Sequence, residues 1–257
     1  MLLVADVGNT NMEFGVFRGK ELIGNFRLMT DTNKTSDEIG LAVCQYFRLF
    51  HFNPAEVEDV IIASVVPQVM HTLTDAMRYY FNKTPLIVDD DVDPGLPYGV
   101  EGDERLGADR AVACVAAIEK YGAPLVVLDF GTATTLDAVS SDGRYMGGCI
   151  SSGVRISTDA LFHKAALLPR VELVKPETVL GTTAVGQIQA GAVLGYIGAM
   201  EHLVRLTKAE MGEENIKVVA TGGLFRLVAE NSPLIDISDG QLVLDGLRAI
   251  YERHKKR

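Results

Sequence analysis

The chain has 257 residues, of which 47% are hydrophobic and 23% are charged. This composition is typical of a globular protein and excludes a disordered one, and the length allows one large domain or two of ordinary size. Acidic residues outnumber basic ones by 34 to 24, and the net charge of −10 disfavours binding to nucleic acid or to an anionic membrane surface.

The first half of the chain predicts three strands and then alternating helices and strands. The order Thr35-Ser36-Asp37-Glu38 is typical of a helix N-terminus, and Pro67 suits the first turn of a further helix. An acidic segment at 89–95 lacks the spacing of a calcium-binding loop and predicts a solvated linker. We expect strands near 2–7, 12–17, 21–29, 59–65 and 86–88, and helices near 36–50, 67–82 and 104–121.

The second half predicts a similar order of elements. Residues 181–200 contain no charged side chain, but their glycine and polar residues favour a helix packed closely against another backbone over a membrane span. We expect strands near 125–129, 134–140, 144–150 and 217–221, and helices near 152–167, 184–211, 223–230 and 240–255. Strands that alternate with helices predict an α/β architecture. We expect two similar halves of mixed β-sheet flanked by helices, 1–116 and 117–257, with a central cleft.

A sequence repeat relates the two halves. Residues 4–17 align without a gap with residues 127–140 at an offset of 123 residues, so that Asp6, Gly8 and Val16 match Asp129, Gly131 and Val139. In each copy an apolar strand ends in Asp-x-Gly, and small polar residues follow. The backbone N–H groups of such a turn bind phosphate oxygens, and the carboxylate binds a cation. Two such turns predict a polyphosphate site, and two ordinary turns left by a duplication are the alternative.

Two further motifs carry candidate chemistry. In the sequence G-A-D-R at 107–110, Asp109 can accept a proton from a substrate hydroxyl and Arg110 can pair with a substrate carboxylate; an ordinary ion pair in a first helical turn is the alternative. In A-T-G-G-L-F at 220–225, the glycines allow a base or a phosphate to approach a helix N-terminus; a plain strand-to-helix turn is the alternative.

Other patterns argue against other classes of protein. Three cysteines without a C-x-x-C pair favour a reducing compartment over a disulfide framework, and the five histidines lack the spacing of a zinc site. The first residues do not predict a signal peptide, so we expect a cytoplasmic protein without a membrane partner. Ser151-Ser152-Gly153 lacks the G-x-S-x-G frame of a serine hydrolase.

Four motifs together resemble those of type III pantothenate kinases: D-V-G-N-T-N at 6–11, G-A-D-R at 107–110, D-F-G-T-A-T-T at 129–135 and T-G-G at 221–223. The resemblance implies the duplicated ribonuclease H-like, actin-like ATPase fold of the actin, hexokinase and Hsp70 superfamily. It also implies ATP-dependent phosphorylation of pantothenate to 4'-phosphopantothenate, the first step of coenzyme A biosynthesis. The implied cofactors are Mg²⁺ and a monovalent cation, K⁺ or NH₄⁺, and the implied assembly is a homodimer.

The same resemblance assigns roles to individual residues. Asp109 is implied to be the general base, and Asp129 to hold the monovalent cation. The ATP-binding residues are implied to be Asp6, which also holds Mg²⁺, together with Val7, Gly8, Asn9, Thr10, Asn11 and Thr132. The pantothenate site is implied to contain Val100, Gly107, Ala108, Asp109, Arg110 and Ala184.

Three positions on the pantothenate side depart from the family pattern. Val100 stands where the family has a tyrosine, Asp103 where it has a proline, and Ala184 where it has a threonine. Tyr98, Thr182 or Thr183 can compensate only after a local shift of the chain. Two alternatives therefore stand beside a pantothenate kinase: a kinase of another small hydroxy acid, and a nucleotide-binding paralogue without catalysis.

Overall fold

The computed structural model describes residues 1–97 and 106–256. The predicted substrate-site residue Val100 lies outside the described residues, as do Tyr98 and Asp103. The strands are β1 (Leu2–Val7), β2 (Asn11–Arg18), β3 (Glu21–Met29), β4 (Asp59–Ser64), β5 (Leu86–Ile87), β6 (Leu125–Phe130), β7 (Ala133–Val139), β8 (Tyr145–Ser152), β9 (Lys217–Thr221) and β10 (Ile237–Ser238). The helices are α1 (Ser36–Leu49), α2 (Pro67–Phe81), α3 (Ala108–Tyr121), α4 (Val154–Lys164), α5 (Ala184–Gln189), α6 (Gly195–Met211), α7 (Phe225–Ala229) and α8 (Leu242–Lys255).

The predicted helix starts follow from local chemistry. Thr35 and Glu38 form a reciprocal cap at the start of α1, in which the Glu38 N–H donates to Thr35 Oγ1 and the Thr35 N–H donates to Glu38 Oε2. Pro67 occupies the first turn of α2, as its sequence position predicts. Helix α3 begins at Ala108 rather than near 104, because residues 106 and 107 are not helical.

The chain divides into two compact units. Within the described chain, the first contains residues 1–96, 106–119 and 241–256, and the second contains residues 97 and 120–240. The predicted halves, 1–116 and 117–257, place the last helix in the second half, whereas α8 belongs to the first unit. The reason is packing, since α8 contacts β1, β2 and β4 and the Tyr251 hydroxyl donates a hydrogen bond to Asp59 at the start of β4.

The first unit is built on a five-stranded mixed sheet in the order β3-β2-β1-β4-β5. Strand β1 pairs antiparallel with β2 and parallel with β4. Alternate residues of β1 and β2, such as Leu3, Val7 and Phe14, are buried under α1 and α2. Helix α8 lies on the other face, where its Leu244 reaches Gly15. The sheet is therefore covered on both faces, which leaves its strand ends as the sites for polar chemistry.

The second unit has a five-stranded sheet in the order β10-β9-β6-β7-β8. Strand β6 pairs antiparallel with β7 and parallel with β9. Helix α6 covers one face, where Ile197 and Val204 pack with Leu128 and Val218 in a buried apolar cluster. The two units thus share one strand order and one set of strand directions.

The repeat extends to irregular features of the sheets. The pairing register between the second and third strands shifts between Val16 and Phe17 in the first unit and between Ala138 and Val139 in the second. Val16 therefore matches Ala138, and the gapless alignment of Val16 with Val139 is wrong after the turn. The second hairpin is one residue shorter, because the N–H of its glycine bonds to the carbonyl oxygen two residues on rather than three.

The predicted helix at 184–211 is continuous, but a π-helical turn at Ala190–Leu194 separates α5 from α6. Gly191, Gly195 and Gly198 lie on its exposed side, where an added Cβ would meet no described atom within 4 Å. Within the described residues, this side of the helix therefore lacks the close packing against another backbone that the sequence predicts. Between residues 1 and 256, leaving aside 98–105, no helix has the length and apolar character needed to span a membrane.

Candidate active site

The turn after β1 is held in a fixed conformation by its neighbours. The Gly8 N–H donates to Asn11 O at 3.0 Å and closes the turn between β1 and β2. Thr30, directly after β3, supports the turn with two hydrogen bonds, because its hydroxyl donates to Gly8 O at 2.6 Å and its N–H donates to Thr10 O at 3.0 Å. Asn9, Thr10 and Asn11 are exposed. A braced turn with exposed polar groups is suited to binding phosphate oxygens.

The end of β4 lies beside this turn. The Val65 N–H donates to Val7 O at 3.1 Å, and the Val66 N–H donates to Ser64 Oγ at 3.1 Å. The first of these bonds extends the parallel pairing of β1 with β4, in which Asp6 lies opposite Ala63. The carboxyl ends of both strands and the start of α2 therefore share one edge of the sheet, which is where ligands bind in α/β folds.

Asp109 lies close to the same edge, in the first turn of α3. A Cβ placed on Gly107 would lie 2.9 Å from Asp109 Oδ1 and 3.8 Å from Val65 Cγ1, so Gly107 lies close both to the carboxylate and to the residue that bonds to Val7. Burial raises the pKa of Asp109 above its ordinary value, while the hydrogen bond from the Arg110 N–H at 2.7 Å and the Arg110 charge act in the opposite direction. A carboxylate with a raised pKa is a stronger base.

The first unit therefore brings together two of the predicted motifs. The site residues predicted from the sequence do not include Thr30, Ser64 and Val65, which hold the turn and the β4 end in place. Their signal is weak because a threonine after a strand and a serine before a helix are common in many folds. The predicted residues of this group are Asp6, Val7, Gly8, Asn9, Thr10, Asn11, Gly107, Ala108, Asp109 and Arg110.

Asp129 and Thr132 belong to the second unit. The turn that contains Thr132 is closed by the Gly131 N–H, which donates to Ala133 O at 3.0 Å. The Gly153 N–H donates to Thr132 O at 3.1 Å. Gly153 lies 123 residues after Thr30, so the repeat reproduces the backbone bond that supports the first turn.

The surroundings of Asp129 fit a monovalent cation. Asp129 lies opposite Thr135 on β7 and opposite Thr221 on β9, so the three residues form one row across the sheet. Thr135 Oγ1 is buried and has no hydrogen-bond partner within the described part of the chain. A buried hydroxyl oxygen beside a carboxylate supplies the oxygen ligands that alkali and alkaline-earth cations prefer.

The fit of Mg²⁺ rests on Asp6. In the chain outside residues 98–105 and 257, no group of three or more His, Cys, Asp or Glu side chains is arranged to hold a metal ion. Proteins commonly bind Mg²⁺ through one or two carboxylates together with the phosphates of the substrate. A single carboxylate beside a phosphate-binding turn therefore suffices for this ion.

The T-G-G motif lies against Asp129. Gly222 has a φ of +92°, and a Cβ on it would lie 2.6 Å from Phe130 N and would also collide with Asp129 Oδ1. The fold itself therefore requires glycine at 222. At Gly223, by contrast, an added Cβ would meet no described atom within 4 Å, so the space there is open to a ligand.

A cavity of about 620 Å³ lies beside Ala184 in the second unit. Its apolar wall includes Val154, Leu161, Leu168, Ala184 and Ile188, and its polar members are Ser157, Thr158, Gln187 and Tyr196. Thr183, named above as a candidate to compensate for Ala184, accepts a hydrogen bond from the Gly186 N–H at 3.1 Å and caps α5. The wall at position 184 is therefore apolar. Sequence reasoning missed Tyr196, because nothing in the helical pattern distinguishes it.

Comparisons with known proteins agree with this architecture. The family model described as type III pantothenate kinase matches residues 2–206. A structure described as a conserved Baf family transcriptional activator from Campylobacter jejuni is 20% identical, with 99% of this chain and 100% of that chain covered and a TM-score of 0.62. One described as a 2-dehydro-3-deoxygalactonokinase from Sinorhizobium meliloti is 14% identical, with coverages of 98% and 96% and a TM-score of 0.62.

A third similar structure contains a nucleotide. The activator of the 2-hydroxyisocaproyl-CoA dehydratase from Clostridium difficile, with bound ADPNP, is 11% identical, with coverages of 100% and 97% and a TM-score of 0.54. At such identities the likeness concerns the fold alone. It confirms the predicted duplicated ribonuclease H-like, actin-like ATPase fold.

Proposed function

The chain belongs to the type III pantothenate kinase family and is therefore a kinase that phosphorylates pantothenate with ATP in coenzyme A biosynthesis. We propose that the turn at Asp6–Asn11, Asp109 and the residues around Asp129 perform this reaction. The observation that carries the proposal is the position of Gly107, which lies close to the Asp109 carboxylate and to Val65, the residue whose N–H bonds to the end of β1 directly before the phosphate-binding turn. A base and a phosphate-binding turn on one sheet edge are the parts that phosphoryl transfer needs. We also propose that the reaction takes place in the cytoplasm, because three cysteines without a C-x-x-C pair favour a reducing compartment.

Asp109 is the general base of this mechanism. Its carboxylate accepts the proton of the primary hydroxyl of pantothenate while the hydroxyl oxygen bonds to the γ-phosphorus of ATP and the bond to ADP breaks. The raised pKa of Asp109 strengthens it as a base. Arg110 pairs with the carboxylate of pantothenate and thereby orients the hydroxyl.

The turn at Asp6–Asn11 and Thr132 bind the phosphates of ATP. The turn offers backbone N–H groups in a conformation that Thr30 fixes, so little reorganisation accompanies binding. Asp6 holds Mg²⁺, which when bound neutralises charge on the phosphates. Asp129, with Thr135 in the same row, holds K⁺ or NH₄⁺.

An assay of ADP release tests this mechanism. With ATP, Mg²⁺, K⁺ and pantothenate, the wild-type protein should turn over, and Asp109→Asn should lower kcat by about 10²- to 10⁴-fold while the Kd for ATP changes little. Asp142→Asn, which alters an exposed carboxylate, is the control and should retain full activity. Absence of turnover by the wild type, or an active Asp109→Asn variant, would contradict the mechanism.

The apolar wall at Ala184 bears on substrate preference. If pantothenate lies beside this wall, Ala184→Thr restores a hydroxyl that the family uses and should lower KM for pantothenate by about 2- to 10-fold, the value of one hydrogen bond. A variant with no gain for pantothenate, together with faster turnover of another hydroxy acid by the wild type, would favour the alternative substrate.

We further propose that the protein is a homodimer, with the exposed side of the helix at 184–211 at the interface. Gly191, Gly195 and Gly198 leave room for a second backbone on this side. Exposed apolar side chains are concentrated in the same unit, a feature typical of interaction surfaces. They are Ile150, Ile156, Leu161, Leu167, Val174, Val179, Leu180, Val185 and Leu206.

A further inference from the structure

Tyr196 supports the hairpin that carries Asp129 and Thr132. Its hydroxyl forms a hydrogen bond with Thr134 Oγ1, and its ring packs edge-on against Phe130 with the ring centroids 6.1 Å apart. Phe130 ends β6, Thr134 belongs to β7, and the two residues lie opposite each other across the hairpin. One side chain therefore contacts both arms of the hairpin directly below the turn.

The Thr134 end of the bond between Tyr196 and Thr134 is shielded from water. Thr134 is 2% exposed, so a hydroxyl left without its partner there would keep the cost of desolvation without compensation. Burial raises the pKa of Tyr196, the bond to Thr134 acts in the opposite direction, and the charge of Asp129 raises it further. The phenol is therefore within electrostatic reach of the carboxylate proposed to hold the cation.

Tyr196 also lines the cavity that contains Ala184. The two residues are twelve positions apart, and at about 100° per residue an uninterrupted α-helix would turn them about 120° away from each other. The π-helical turn at Ala190–Leu194 accommodates one additional residue and reduces this angle to about 20°. The π-turn thus places Tyr196 on the same side of the helix as Ala184, facing the cavity.

We propose that Tyr196 is a positioning residue that links the cavity beside Ala184 to the Asp129–Thr132 turn. The inference rests on the proposed roles of Asp129 and Thr132. By holding Thr134, the Tyr196 hydroxyl fixes the start of β7 and with it the turn that binds nucleotide and cation. A ligand in the cavity contacts the same side chain. Binding in the cavity therefore limits the motion of Tyr196, the residue that supports the turn.

Titration calorimetry of the full chain with ADP, with and without K⁺, tests the proposal. Tyr196→Phe removes the hydroxyl and keeps the ring against Phe130. We expect its Kd for ADP in K⁺ to rise about five- to tenfold, and the tightening of ADP binding by K⁺ to shrink, which is the effect of losing one hydrogen bond. Tyr121→Phe also removes a hydrogen-bonded hydroxyl in the second unit, from Asp239, and should leave both quantities unchanged.

A double-mutant cycle separates positioning from general stability. Thr134→Val should have the same effect as Tyr196→Phe, the double variant should be no worse than either alone, and Thr134→Ser should behave as the wild type. Additive effects would overturn the proposal. So would a Tyr196→Phe variant whose melting temperature falls while its Kd values stay within twofold of the wild type. If Tyr196→Phe does not fold, the comparison of Thr134→Val with Thr134→Ser decides.

These measurements use no acceptor substrate. Lack of pantothenate turnover by the wild type would refute the proposed mechanism but would leave the nucleotide and K⁺ measurements valid. The two proposals can therefore fail separately.

Discussion

Asp109 carries a carboxyl group whose burial opposes its ionisation. An unfolded chain releases this proton near the ordinary value of 3.8, whereas the folded protein releases it at a higher pH. Between the two values the folded state binds more protons, so its stability falls as pH rises. Asp109→Asn cannot ionise, and its melting temperature relative to the wild type should therefore increase between about pH 4 and pH 7.

The exposed Asp142 supplies a control of opposite sign. A hydrogen bond from Ser140 and the charge of Arg144 lower the pKa of Asp142, so its ionised form favours folding above its ordinary value. Asp142→Asn should lose a small amount of stability relative to the wild type over the same pH range. Identical pH trends for the two variants would contradict the assignment for Asp109.

The two glycines of the T-G-G motif have different reasons to be glycine. Gly222→Ala collides with Asp129 and Phe130, and we expect a loss of about 1–3 kcal/mol of stability together with weaker activation by K⁺. Gly223→Ala meets no described atom, so thermal unfolding should be nearly unchanged, and only nucleotide binding should weaken if a base or phosphate lies there. Equal melting temperatures for both variants would contradict the close approach of Gly222 to Asp129 and Phe130.

At the scale of elements, α8 shows how a helix can be predicted correctly while its neighbours are not. The sequence predicts a helix near 240–255, and the structure has one at Leu242–Lys255. It joins the first unit through its contacts with β1, β2 and β4, and it also crosses α3 closely, where a Cβ on Gly246 would lie 2.5 Å from Val112 O. Local periodicity contains no information about this contact, because it joins residues far apart in the chain.

At this crossing, packing and helix propensity predict opposite effects of one substitution on the stability of the protein. Propensity alone predicts that Gly246→Ala stabilises the helix by about 1 kcal/mol, whereas the backbone collision should make the protein less stable by about 1–3 kcal/mol. The reverse exchange at the buried Ala249, three residues later, should cost about 1 kcal/mol through propensity and a further amount through the loss of a buried methyl group. A Gly246→Ala variant that melts at a higher temperature than the wild type would refute the crossing.

At the scale of the whole molecule, the duplication explains why two units share strand order, register shift and the support of the turn. The copies have diverged in ways that suit different ligands. In the first turn the Gly8 N–H bonds to the carbonyl oxygen three residues on, and in the second the Gly131 N–H bonds to the one two residues on. The Thr30 hydroxyl supports the first turn, whereas the matching residue in the second unit is Gly153, which has no side chain. The longer turn is proposed to bind phosphates together with Mg²⁺, whereas the shorter one is proposed to bind ATP through Thr132 and a monovalent cation through Asp129.

The proposed dimer gives a prediction at the same scale. Gly195→Leu places a bulky side chain on the open side of the long helix, where it should leave a monomer folded but weaken a close contact between two copies. Sedimentation velocity at micromolar concentration should show a dimer for the wild type and a shift toward monomer for the variant. Ala55→Leu, which adds the same side chain at an exposed position of the first unit, should remain dimeric. A monomeric wild type would contradict the proposal.

The sequence by itself determined the α/β class, the positions of the helices and long strands, and the two Asp-x-Gly turns, because periodicity, capping and turn chemistry are local properties. It also placed Asp109 at a helix start. Only the tertiary structure decided that α8 joins the first unit, that Gly107 at the start of α3 lies close to Val65 at the end of β4, and that Tyr196 supports the second turn. These contacts join residues distant in sequence, and their free energies arise from burial and close packing, which no local pattern records.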